Sequence, residues 1–298
     1  MSELDIKIKE SLNKEITTTS LLGKGACNYA YLAETEDEKF IVKVEREEKE
    51  FTPQNSLIVE ANVAHKLFSL NLSLPTAEVV FISEQPEMYG YKYINGDTLK
   101  NAWVNLNQEE RKDTCFAIGK FHAEIGKGIS KEECMELGIT IDESSDLHPE
   151  VLEEYEEILK DKDVPESLKE LAKKAKGIFD ETNVEENHIF QFLHNDAHHE
   201  NILIDGKQLT GFIDYGNAEY GEVAKEFSRY IRDFPDYFQY IIESYEKESG
   251  NKLNRSRLIT NAFISGLMEI VEDYKKGGEK KVGAEKSVET YRGLIDKL

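Results

Sequence analysis

Residues 192–216 read FLHNDAHHENILIDGKQLTGFIDYG. Two short apolar runs, Asn201–Ile204 and Gln208–Ile213, flank a turn at Gly206 and read as paired strands. Asp196 is followed five residues later by Asn201, and thirteen residues after that by Asp214 in Ile-Asp-Tyr-Gly. The spacing H-x-D-x-x-x-x-N, then D-x-G, supplies what phosphoryl transfer asks of a protein. One carboxylate orients the accepting hydroxyl, and an amide with a second carboxylate holds Mg²⁺ against the phosphates. Asp196 is the candidate catalytic residue; Asn201 and Asp214 are the candidate metal ligands.

Working upstream, Ile16–Gly23 reads as a strand leading into Leu-Leu-Gly-Lys-Gly, and Tyr29–Glu34 as the strand after it. Gly23 and Gly25 would let backbone N–H groups approach phosphates without a Cβ in the way. A dinucleotide fingerprint would open a helix here, so the following strand excludes it. Lys43 lies mid-strand in the alternating Phe40–Arg46, and Glu60 shares a face with Ala64 and Leu67 on a helix over Ser56–Leu70. A Glu on an apolar face is costly unless paired. Lys43 is the expected partner, aimed by Glu60 at the nucleotide phosphates.

Around these residues the chain orders itself simply. A short amphipathic helix (Leu4–Lys14) precedes the strands, two more strands (Ala77–Ser83 and Met88–Ile94) follow the helix, and helices dominate from Asn107 on. They are expected over Asn107–Lys127, Pro149–Asp161, Pro165–Phe179, Val223–Ile231, Tyr237–Gly250, Arg255–Lys275 and Ala284–Leu298. The expected fold is α+β and bilobal, with a five-stranded antiparallel sheet carrying one main helix, then a mostly helical lobe. The lobes are placed at 1–94 and 95–298, joined by a linker near 92–97. Tyr93 and Ile94 in that linker would offer backbone groups to a nucleobase. The bulky Tyr91 would narrow the pocket behind it. The acidic, lysine-rich stretch Ser130–Asp180 carries no visible chemistry and reads as helices that wall a substrate site.

A formal net charge of −22 argues against nucleic acid and anionic membrane as partners, since both need clustered Lys and Arg. It would steer a polycationic small molecule toward the protein. Three cysteines, widely spaced and odd in number, argue against a disulfide framework and a cysteine zinc site. No apolar run is long enough to span a membrane, and the charged N-terminus lacks a signal-peptide core, so a cytoplasmic monomer is expected.

His194-Asn-Asp196 through Asn201-Ile-Leu, then Ile213-Asp214-Tyr-Gly-Asn-Ala, resembles the aminoglycoside phosphotransferase family of the protein-kinase-like superfamily. The linker Tyr-Ile-Asn-Gly-Asp-Thr-Leu looks closest to the 2″-type enzymes. The resemblance implies that Asp196 accepts the proton of a substrate hydroxyl, that Asn201 and Asp214 bind Mg²⁺, and that Lys43 contacts ATP or GTP. It implies direct, in-line transfer, with His194 supporting the loop. Where the family has Leu-His-Pro-Gly-Asn, this chain has Ala197-His198-His199-Glu200-Asn201, which puts the substrate rather than the activity in question. Asn195 stands where protein kinases carry Arg, and no A-P-E follows Asp214, so the acceptor is expected to be a small molecule. A bulky Tyr91 is compatible with GTP.

An aminoglycoside acceptor would need acidic contacts, and the C-terminal helices offer Glu226, Asp233, Glu243, Glu269 and Glu272, with Tyr237 and Tyr240 as walls. A kinase for a macrolide, choline, a sugar or homoserine would use the same loop. A zinc site on His194, His198 and His199 is disfavoured because the strand after them breaks helical ligand spacing. The intact set of Lys43, Glu60, Asp196, Asn201 and Asp214 argues against a non-catalytic kinase-like module.

Overall fold

The computed structural model describes residues 3–50, 52–183 and 188–298. Helix α1 (Glu3–Leu12) leads into strands β1 (Thr18–Lys24), β2 (Asn28–Glu34) and β3 (Lys39–Glu45). Helix α2 (Leu57–Ser69) then precedes β4 (Val79–Glu84) and β5 (Glu87–Lys92). These strands form one five-stranded antiparallel sheet in the order β1-β2-β3-β5-β4. The alternation of β3 gives the sheet two uses. Phe40, Val42 and Val44 join Ile8 and Leu12 of α1 in a core on one face. Ile41 joins the α2 core on the other, the face toward which Lys43 also points.

The rest of the chain is largely helical. It comprises β6 (Asp97–Thr98), α3 (Leu99–Ala102), α4 (Gln108–Gly128), α5 (Lys131–Leu137), β7 (Thr140–Ile141), α6 (Pro149–Lys160) and α7 (Glu166–Asn183). Then come β8 (Phe190–Leu193), β9 (Ile202–Asp205), β10 (Gln208–Phe212), β11 (Glu219–Glu222) and α8 (Val223–Asp233). The last four helices are α9 (Phe238–Ser249), α10 (Arg255–Ser265), α11 (Leu267–Lys276) and α12 (Gly278–Ile295). Asn107 caps α4 through a reciprocal box with Glu110, which fixes where that helix starts. The bilobal α+β arrangement is the one expected from the sequence.

Two small sheets position the site. The first runs β10-β9-β6 and the second β7-β11-β8, with β7 and β11 parallel. Gly96, at φ +141°, lets the linker cross close over β9, where an added Cβ would lie 2.8 Å from the Ile204 carbonyl oxygen. The single helix expected over Arg255–Lys275 is two helices. It breaks at Gly266, whose N–H bonds back to Ala262 and whose neighbours turn to pack on different partners. The last helix begins earlier than expected, at Gly278, which like the Gly277 before it has positive φ. No helix among the described residues is long and apolar enough to cross a membrane.

Candidate active site

Lys43 is buried on β3. Its register opposite Tyr89 on β5 places it under α2. Nζ lies 2.7 Å from Glu60 Oε1 and 3.0 Å from Asp214 Oδ1, and the Tyr89 hydroxyl donates to Glu60 Oε1 at 2.8 Å. Burial alone would lower the lysine pKa, but the Asp214 and Glu60 carboxylates outweigh it and keep the ammonium charged. Lys43 holds the half-exposed Asp214 carboxyl below the usual carboxylate range. Tyr91 is buried beside this cluster, stacked on Tyr89 with ring centroids 5.7 Å apart. Tyr93 is partly exposed at the linker, its N–H donating to the Lys39 carbonyl, and Ile94 is half-buried next to it.

Gly23 and Gly25 lie at and just beyond the end of β1. An added Cβ at Gly23 would meet nothing within 4 Å, and at Gly25 it would touch only the Asn28 carbonyl oxygen. Arg46, buried, donates to the carbonyls of Gly25 and Ala26 and so ties the loop to the end of β3. Sequence reading passed over Arg46 and Tyr89, since neither belongs to a motif.

Strand β8 delivers His194, Asn195 and Asp196. His194 is fully buried; its Nε2–H donates to the Ile213 carbonyl at 3.0 Å and its ring packs on Tyr215. The β9–β10 hairpin returns the chain to that point, with Ile213 N–H bonded to the Asn201 carbonyl. Asn195 and Asp214 both adopt left-handed φ, +59° and +68°, residue types that tolerate it. Asn201 Nδ2 donates to the Asp196 carbonyl at 2.9 Å, which turns its amide oxygen the other way. Thus Lys43, Glu60 and Asp214 meet directly, and Asp196 and Asn201 meet each other one loop away.

Asp196 itself has a partner that the motif did not announce. Arg229 Nη2 lies 2.5 Å from its Oδ1, while Asn217 Nδ2 and Asn201 Nδ2 stand 3.4 Å and 3.5 Å from Oδ2. Arg229 is one helical turn beyond Glu226 on α8, so the i,i+3 spacing was the available signal. Glu226 accepts from the Asn195 N–H at 2.9 Å and is buried; burial pushes its carboxyl up to about 7 despite backbone N–H donors from Asn195 and His194.

A cavity of about 1200 Å³ opens beside Asp196, with Asn195, Ala197, Asn217 and Arg229 in its wall. Residues 140–142 and 144–152, together with Lys176, Phe179 and Asp180 of α7, form the opposite side. Of the five acids proposed for the substrate, Glu226 lines this cavity. The other four fall outside its lining, because helix packing turns them elsewhere. Asp233 is buried against His199 at 2.9 Å, Glu269 pairs with Arg232, Glu272 pairs with Lys276, and Glu243 is exposed on α9. Glu200, whose role the sequence left open, pairs with Lys100, and His198 stands 3.3 Å from Asn201 Nδ2. No group of three or more metal-ligating His, Cys, Asp or Glu exists among the described residues.

A model of the phosphotransferase enzyme family, APH, matches residues 18–250. The fold is shared with an APH(2″) enzyme solved with GDP and kanamycin, at TM-score 0.66 and 15% identity over 99% of this chain and 98% of that one. It is shared with spectinomycin phosphotransferase, APH(9)-Ia, in complex with ADP and spectinomycin, at TM-score 0.65 and 12% identity over 99% and 93% of the two chains. A macrolide 2′-phosphotransferase of type I superposes at TM-score 0.60 with 14% identity over 97% and 98%. The match across most of the chain makes it a member of the APH phosphotransferase family, an enzyme that passes a phosphoryl group to a hydroxyl of a small molecule.

Proposed function

We propose that this enzyme transfers the γ-phosphoryl group of ATP or GTP to a hydroxyl of an amine-bearing small molecule of the aminoglycoside class. The observation that carries the reading is the cavity flanking Asp196, whose lining holds seven carboxyl side chains against four of Lys and Arg, even with Lys225 pairing Asp142 and Glu219 and Lys176 pairing Asp180. Such a lining suits ammonium groups, and the overall charge of −22 would steer them in. In this reading the acids at 142–180 take the role first sought in Asp233, Glu243, Glu269 and Glu272.

The nucleotide would lie between the lobes, 1–94 and 95–298. Gly23 and Gly25 would approach its phosphates, and Lys43, aimed by Glu60, would meet the α- and β-phosphates. Tyr93 and Ile94 would contact the base with Tyr91 behind it. Asn201 and Asp214 offer hard oxygen donors, the set Mg²⁺ takes when phosphates complete its shell. Bound there, Mg²⁺ would neutralise charge on the phosphates. Asp196 would orient the acceptor hydroxyl and take its proton as the oxygen–phosphorus bond forms and the nucleoside diphosphate leaves. Little else is required of the protein, because a loose transition state is served by positioning and charge. Tyr91 supports GTP as donor, and a competition of the two nucleotides in one assay decides it.

A second reading has its own support. Arg229 and Arg232 both line the cavity and would suit an acceptor that carries an anionic group. Diphosphate release across a panel of aminoglycosides, macrolides and small hydroxy acids discriminates. Turnover of an aminoglycoside upholds the first reading; turnover confined to the hydroxy acids replaces it with the second.

A further inference from the structure

We propose that Arg229 is a positioning residue for phosphoryl transfer, holding the Asp196 carboxylate in the orientation that receives the acceptor hydroxyl. This rests on the role given above to Asp196. The geometry begins with α8, which serves the catalytic loop twice. Glu226, in its first turn, accepts the Asn195 N–H and fixes the backbone; Arg229, one turn on, reaches the Asp196 side chain.

The three donors to Asp196 are unequal. The contact with Arg229 is short and charge-assisted, whereas the amides of Asn217 and Asn201 stand 3.4 Å and 3.5 Å away. His198 Nε2 is farther still, 3.8 Å from Oδ1. An ionised carboxylate offers about four lone-pair sites, so these contacts leave room for an acceptor hydroxyl while fixing the carboxylate plane. Without Arg229 the side chain would be held only by two weak amide contacts and would turn about its χ angles.

A purely structural role fits less well. Among the described residues, the side-chain hydrogen bond Arg229 makes is the one to Asp196. Its side chain is about a third exposed and lines the cavity. A partly exposed pair of this kind contributes little to global stability. Its effect is therefore expected in turnover, not in folding.

The test compares wild type with Arg229→Gln, Arg229→Lys and Asp196→Asn. Phosphoryl transfer to kanamycin is measured together with acceptor-free hydrolysis of ATP and GTP, GDP affinity by calorimetry, and thermal midpoint. Arg229→Gln is expected to lower kcat about 100-fold, the scale set by misplacing a reacting group, with nucleotide KM and GDP affinity within about twofold of wild type. Added guanidinium ion, below denaturing concentration, should restore part of the lost turnover. Arg229→Lys should fall between, because a compact ammonium on a shorter reach does not reproduce the guanidinium contact. If the glutamine variant fails to fold, the lysine variant carries the test, and wild-type kcat in it overturns the proposal. Turnover retained in Arg229→Gln also overturns it, as does a loss that guanidinium does not relieve and that runs in step with lost GDP binding and a lower midpoint. Kanamycin left unmodified by wild type would overturn the acceptor class alone, since nucleotide hydrolysis still reports on Arg229. Asp196→Asn matching wild type in both assays would overturn the role of Asp196, and this proposal with it.

Discussion

Lys43 joins three elements through one ammonium, taking Glu60 from α2 and Asp214 from the segment after β10. Glu60 is only 1% exposed, so replacing its partner strands a carboxylate that water cannot reach. Lys43→Met should therefore lower the unfolding free energy in urea by about 3 kcal/mol, the usual cost of breaking one side of a buried pair. An unchanged unfolding midpoint would contradict that. Glu226 gives a second residue-level prediction, with a pH sign. Burial pushes its carboxyl up to about 7, above the ordinary glutamate value of about 4.3, so between those limits the folded state binds the extra proton. The stability this supplies is complete at the acid end and lost as pH rises through about 7. Unfolding free energy, wild type minus Glu226→Gln, should fall across that window by on the order of 3 kcal/mol. A flat difference would show that Glu226 is ionised throughout. Residues of this kind divide in their legibility. Lys43, Glu60, Asp196, Asn201 and Asp214 sit at motif spacings and could be named from sequence; Arg229, Arg46 and Tyr89 act through contacts that only the folded chain creates.

Helix α4 and helix α9 show how packing sets the scale of a single methyl group. A Cβ on Gly119 would come within 2.1 Å of the Ile241 carbonyl oxygen, and backbone does not yield as a side-chain tip does. Gly119→Ala is expected to cost about 2 kcal/mol or more, from overpacking. Gly177, inside α7, would meet nothing within 4 Å, so Gly177→Ala should add about 0.5–1 kcal/mol through helix propensity. Urea unfolding of the two variants checks both, and shifts of the same sign would contradict the pair. Elements with a long period were readable in advance, including the strands of the main sheet and α4. Strand β7, two residues long, was not, because it exists only by pairing in parallel with distant β11. The break at Gly266 was missed because the apolar pattern runs through it, and only the packing of α11 against α12 and α6 separates the two helices. Of the acids placed on the C-terminal helices by charge alone, Glu226 lines the cavity and Asp233, Glu243, Glu269 and Glu272 do not, because which face of a helix meets a cavity is decided by its neighbours.

At the scale of the whole molecule, the two lobes meet around the Asp214 segment. Asn55, just before α2, donates to the carbonyls of Gly216 and Ala218, and Gln54 donates to Glu219 on β11. These bonds hold α2 where Glu60 reaches Lys43, so the Lys43 cluster and the wall of the cavity are assembled together, with helix α8 beginning soon after Asp214. The bilobal fold and the order of the motif residues follow from the chain; the cavity beside Asp196 does not, since it is built from segments between residues 52 and 266. The most direct measurement is mass spectrometry of an acceptor panel incubated with ATP or GTP, run with wild type and Asp196→Asn. Wild type is predicted to add one phosphoryl group to a hydroxyl of an amine-bearing compound while Asp196→Asn binds nucleotide and adds none; equal phosphorylation by both enzymes would contradict the account.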